Sequence, residues 1–132
     1  MRQDAEHWLR DADNDLAAAR KMADDGMFNW AVFAARQAVE KALKGAHIVL
    51  QREDPPTVHS LPKLFERNFG QAPDDLAGDL RSLSREYMTT RYPDVAGGPT
   101  AEAYALSDAE TAIAQAERLR KWIFQELSSM SS

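Results

Sequence analysis

The chain contains no cysteine. That excludes disulfides and thiolate metal sites and makes a cytoplasmic protein the simplest reading. No apolar run approaches the length of a membrane span, and the opening residues MRQDAEHWLRDAD lack the apolar core of a secretion signal. No membrane partner is therefore expected. Histidine is scarce: His7, His47 and His59 stand far apart without ligand spacing, so neither a metal site nor a cofactor is expected. No Walker loop is present, GDLRSLS is not a nucleophile elbow, and Gly97-Gly98 is too bare for a phosphate cradle. An excess of positive charge is also missing. A net charge of -5 argues against a general nucleic-acid coat protein, although local basic patches remain available.

What is present is helical periodicity. The chain has 132 residues, 44% of them hydrophobic, which suits one soluble domain over 1–132 with a sizeable core. Leu9, Ala12, Leu16, Ala19 and Ala23 form one apolar stripe, and Gly26 stands where that helix should stop. Phe28, Val32, Ala35, Val39, Ala42, Ala46 and Val49 mark a second helix that ends before Pro55-Pro56. Ser60 can cap a short third helix with Pro62 in its first turn. Leu76, Leu80, Leu83 and Tyr87 mark a fourth, and RYPDVAGGPT reads as a loop. The last helix is expected to open at SDAE, where Ser107 and Glu110 have capping-box spacing, and to run past Leu127 into a frayed tail at 128–132. The pattern predicts an all-α, up-and-down antiparallel bundle of four to five helices.

The chemistry-bearing residues fall in three places. Arg36, Glu40 and Lys44 make an i, i+4, i+8 ladder that periodicity alone reads as a solvated, salt-bridged helix face. Beside it, Lys41 and Lys44 can present two ammonium groups to a phosphate. His59 precedes the Ser60 cap, where it can either fix the local backbone or meet an anion at the helix N-terminus. Arg91 follows Tyr87 by one turn. Pro93 forces Tyr92 out of helical conformation, and Asp94 is close enough in sequence to pair with Arg91. The plain reading is a rigid helix stop; the sharper one is a stiff turn holding Arg91 and Tyr92 at an anion-binding cleft. The three tryptophans read as core or interface residues.

Three segments in order, ARQAVEKALKG (35–45), HSLPKLF (59–65) and YMTTRYPD (87–94), together with the upstream first-helix segment, resemble the HEPN family of prokaryotic proteins. The resemblance implies a helical bundle, a homodimer, and a small nucleotidyltransferase partner encoded as a separate chain, in the manner of a toxin-antitoxin module. It implies a nucleotide or RNA ligand, with Lys41, Lys44, His59, Arg91, Tyr92 and Asp94 as the ligand-binding residues. Many family members are metal-independent endoribonucleases marked by an arginine and a histidine with four to six residues between them. Arg91 lacks such a histidine. Arg2 with His7 and Arg52 with His59 meet the spacing, but the first pair sits at the N-terminus, the second crosses the Pro55-Pro56 loop, and neither precedes the final helix. An enzyme of this kind would use Arg91 or Arg52 with His59, and a purely structural interaction protein is the remaining alternative.

Overall fold

The computed structural model describes residues 2–130. Helix α1 (Gln3–Asp24) places Asp4 and Glu6 in its first turn and Lys21 in its last, each opposite to the local end of the helix dipole. A tight turn at 25–27 follows, in which Gly26 takes φ +78°, a left-handed conformation that glycine adopts without steric cost. So short a connection makes α2 (Phe28–Gln51) antiparallel to α1. Helix α2 is the centre of the molecule, packed against α1, the short third helix and the long final one. Ala31, Ala35, Ala38, Ala42 and Ala46 are buried along α2, as are Ala5, Ala12, Leu16 and Ala19 along α1, the helix that α2 contacts most extensively. Small side chains let the two backbones approach closely. Gly45 extends that seam, since a Cβ there would stand 2.8 Å from Leu9 Cδ2.

Ser60 caps α3 (Leu61–Phe69) by accepting from the Lys63 amide at 3.4 Å. Helix α4 (Asp74–Ser84) starts with two aspartates after Pro73. Leu64, Phe65, Leu80, Leu83, Leu119 and Ile123 carry the core on through α3, α4 and the final helix. Phe65, Phe69 and Trp122 meet there with ring centroids 5.1–5.2 Å apart. The final helix, α7 (Leu106–Met130), packs on α2, α1 and α4.

The helical bundle is as the periodicity predicts, but the count of segments differs. The fourth helix does not run unbroken through Tyr87: it pauses at Arg85 and resumes as the single turn α5 (Glu86–Thr89). The expected RYPDVAGGPT loop contains another single turn, α6 (Pro93–Ala96), and a 3-10 turn, Thr100–Glu102. Hydrogen bonds, both local and from α2, explain why it is ordered. Thr90 is fully buried; its hydroxyl donates to the Glu86 carbonyl at 2.8 Å, and its own carbonyl accepts from Asn29 Nδ2 at 3.0 Å. The amides of Arg91 and Tyr92 both donate to the Met88 carbonyl at 3.1 Å.

The start of α7 differs from the expectation. The helix opens at Leu106 rather than at Ser107, because Asp108 reaches back to the Ala105 amide at 2.8 Å and closes the first turn in place of Ser107 and Glu110. At the other end the helix extends to Met130, so residues 128–130 of the expected tail are helical, while Ser131 and Ser132 lie outside the described residues. Among the described residues no helix is long and apolar enough to cross a membrane.

Candidate functional site

The site is assembled where the middle of α2, the entry to α3 and the α5–α6 turn meet. Arg36, on the α2 face toward that junction, is completely buried. Its guanidinium donates to Glu40 at 2.8 Å, to the Gln37 side chain at 2.6 Å and to the backbone carbonyl of His59. Glu40 accepts a second cation, Lys44, at 3.2 Å. The ladder is thus not the solvated helix face that its spacing suggests: Glu40 is 4% exposed and Lys44 7%. Tertiary cover from the His59 segment and from Tyr87 removes it from water. Burial works to raise the Glu40 carboxyl's pKa, but Arg36, Lys44 and His59 outweigh it, and the net shift is downward. Glu40 is therefore an ionised, buried acceptor.

His59 completes this group. Its Nδ1 lies 3.2 and 3.3 Å from the two Glu40 oxygens, and its ring stacks on Tyr87 at 4.5 Å with an 18° tilt. The ring is about half exposed, and Nε2 has no hydrogen-bond partner among the described residues. Because a carboxylate only accepts, the proton of the neutral imidazole belongs on Nδ1.

Arg91 reaches the same tyrosine. Its Nε and Nη2 donate to the Tyr87 carbonyl at 2.9 and 2.8 Å, one turn back along the chain. The guanidinium carbon lies 4.6 Å from the Tyr87 ring centroid, 4.5 Å from that of Phe33 and 5.1 Å from that of Tyr92. Arg36 also stands 4.6 Å from the Tyr87 centroid. One phenol ring therefore carries His59, Arg36 and Arg91 at once, each by stacking or cation–π contact. Tyr92, extended at φ -121° before Pro93, is exposed beside Arg91. The Arg91–Asp94 pair does not form. Among the described residues Arg91 has no carboxylate partner, since its donors are turned to the Tyr87 carbonyl, and Asp94 lies in the first turn of α6.

The other candidate cations sit elsewhere or face inward. Lys41 points to α1, where Asp11 and Asp15 accept from it at 2.6 and 2.9 Å. Burial pulls its pKa down, but the two aspartates more than offset this and the net shift is upward. Lys44 lies behind Glu40, its ammonium 5.8 Å from the Trp8 ring centroid. Arg52 ends α2 in a left-handed conformation, and among the described residues no hydrogen bond or ion pair joins it to His59. Arg2 pairs with Asp4 and Asp54, and His7 is exposed.

Of the residues that the sequence singles out, the structure brings His59, Arg91 and Tyr92 together around Tyr87, and it adds Arg36, Glu40 and Tyr87 itself, which the sequence reading did not join to them. The available signal was that Arg36 and Glu40 lie within ARQAVEKALKG, and that Tyr87 opens YMTTRYPD. A cavity of about 320 Å³ between α3 and α4, lined by Phe65, Leu80 and Arg81, contains none of these residues. Among the described residues no group of three or more histidine, aspartate and glutamate side chains is disposed to hold a metal ion.

A family model of the HEPN domain matches residues 5–127. Among solved structures, TT1696 from Thermus thermophilus superposes with a TM-score of 0.85 at 34% identity, covering 94% of this chain and 98% of that one. ST0689, described as an archaeal HEPN homologue, superposes with a TM-score of 0.80 at 30% identity, covering 96% of this chain and 99% of that one. No curated protein matches the sequence.

Proposed function

The chain belongs to the HEPN domain family, and on that premise we propose that it binds a nucleotide or RNA at the Tyr87 platform and acts beside a small nucleotidyltransferase. One observation carries the reading. Arg91 and His59, far apart in sequence, meet on the ring of Tyr87, and Arg91 has no carboxylate to neutralise it among the described residues. A guanidinium with an unpartnered Nη1 suits a phosphate oxygen, and an exposed aromatic such as Tyr92 suits a base. Asp94 flanks this edge, where it can accept from a sugar hydroxyl or a base amine. Lys44 acts from behind by balancing Glu40, and Lys41 is held by α1. No cofactor or metal enters the reading.

Calorimetry with ATP and with a short single-stranded RNA at low salt tests it. Wild type should bind at least one of them, with affinity lost in Arg91→Ala. Absence of heat with both, and of any thermal shift, would leave a purely structural interaction protein.

A second reading, metal-independent RNA cleavage, is favoured by the Glu40–His59 contact. The unprotonated Nε2 can take the proton of a 2′-hydroxyl, while Arg91 stabilises charge growing on the phosphate. Among the described residues, however, the junction offers His59 as its single imidazole to serve as both base and acid. Little or no cleavage of total RNA in EDTA is therefore expected. Cleavage by wild type that disappears in both Arg91→Ala and His59→Ala would make this an endoribonuclease, the activity a toxin of a toxin-antitoxin pair would use.

A further inference from the structure

Glu40 is built into the molecule more firmly than the balance of charge requires. Arg36 and Lys44 already neutralise it, yet both of its oxygens also face His59 Nδ1. Arg36, one turn earlier on α2, holds the backbone carbonyl of the same histidine, and Tyr87 lies flat against its ring. Ring plane, backbone and one ring nitrogen of His59 are thus all fixed by buried or half-buried groups. The remaining nitrogen, Nε2, has no hydrogen-bond partner among the described residues, and the side chain is about half exposed. We propose that Glu40 is the positioning residue of this site, holding His59 as the Nδ1–H tautomer so that Nε2 accepts a hydrogen bond from a ligand hydroxyl lying beside a phosphate on Arg91.

The ligand class that fits is a ribonucleotide with vicinal hydroxyl and phosphate, as at a 3′-phosphorylated ribose. A 2′-deoxy ligand offers no such donor next to the phosphate. The ligand half of this inference rests on the binding reading above; the tautomer half does not.

Long-range proton–nitrogen correlation spectra of the unliganded wild type test the tautomer directly. The His59 signals are identified by their loss in His59→Gln. In the neutral ring, Nδ1 should resonate as a protonated, pyrrole-type nitrogen and Nε2 as an unprotonated, pyridine-type one. A proton on Nε2 instead overturns the proposal. In Glu40→Gln, shown to be folded by circular dichroism, the amide can donate as well as accept, so the single tautomer should give way to a mixture. An unchanged tautomer in that variant also overturns the assignment. If the variant does not fold, the wild-type spectrum still decides.

Adenosine 3′-monophosphate and its 2′-deoxy counterpart probe the ligand half. Wild type should bind the deoxy compound about five- to tenfold more weakly, the scale of one lost hydrogen bond. His59→Ala should bind both alike. Equal binding by wild type refutes the hydroxyl contact. Binding of neither compound, with the tautomer as stated, removes the ligand reading and leaves the Glu40–His59 assignment standing.

Discussion

Glu40 shows how one buried carboxylate can organise several cations. Removing it would leave Arg36 and Lys44 buried without a counter-charge, a costlier defect than losing the pair altogether. Glu40→Ala should therefore lose about 3–5 kcal/mol in urea denaturation at neutral pH. The pH dependence has a definite sign. The folded-state pKa of Glu40 lies below its ordinary 4.5, so the unfolded chain binds the proton more readily. Its contribution is complete above the unfolded value and is lost as pH falls from about 4.5 through the lowered folded value. Glu40→Gln should flatten the stability profile over that acid window, which a pH series of thermal melts would reveal. An equally steep loss in both proteins would assign acid sensitivity to other carboxylates. The ladder also marks a limit of sequence reading. Arg36, Glu40 and Lys44 have the same spacing whether a helix face is wet or covered, and only the folded position of His59 and Tyr87 decides.

At the scale of elements, the stops and starts written in local chemistry were legible. Gly26, Ser60 and Pro93 act through their own backbone or hydroxyl, and each does what its residue type allows. The α5–α6 turn was less so. Its order depends on Asn29, near the start of α2, whose amide donates to the Thr90 carbonyl at 3.0 Å and to the Thr100 hydroxyl at 3.3 Å. No periodicity signals a contact spanning so much of the chain. The start of α7 is of another kind: Asp108 accepts from the Ala105 amide, so the helix opens one residue before the Ser107–Glu110 spacing would place it. Asn29→Ala should leave the buried Thr90 carbonyl unsatisfied and cost about 1–3 kcal/mol. Thermal melts would show it, and ligand affinity should fall as well, because the same turn holds Arg91. A variant as stable as wild type would mean that the turn is ordered by its own hydrogen bonds.

Across the whole molecule, apolar exposure gathers near the site. Trp30 packs edge-on against Phe33, Arg91 lies over Phe33 and Tyr92, and Met88 is beside it, with Trp30, Met88 and Tyr92 all substantially exposed. Its Trp30 and Met88 portion suits burial against a second copy of the chain, with Arg91 and Tyr92 left at the edge for a ligand. Light scattering coupled to size exclusion should give a dimer mass, reduced to a monomer by Trp30→Glu. A wild-type monomer at high micromolar concentration would contradict this. The net charge of -5 bears on how a nucleotide or RNA could bind at all. An acidic surface repels a polyanion, so attraction must come from a few local cations rather than from a basic face. Binding should then depend on salt weakly, and largely through Arg91. The most direct measurement is the affinity for a short single-stranded RNA across a salt series, for wild type and Arg91→Ala. Weaker binding is expected in the variant, with a log–log salt slope shallower by about one. Equal affinity and an equal slope in the two proteins would contradict a site centred on Arg91.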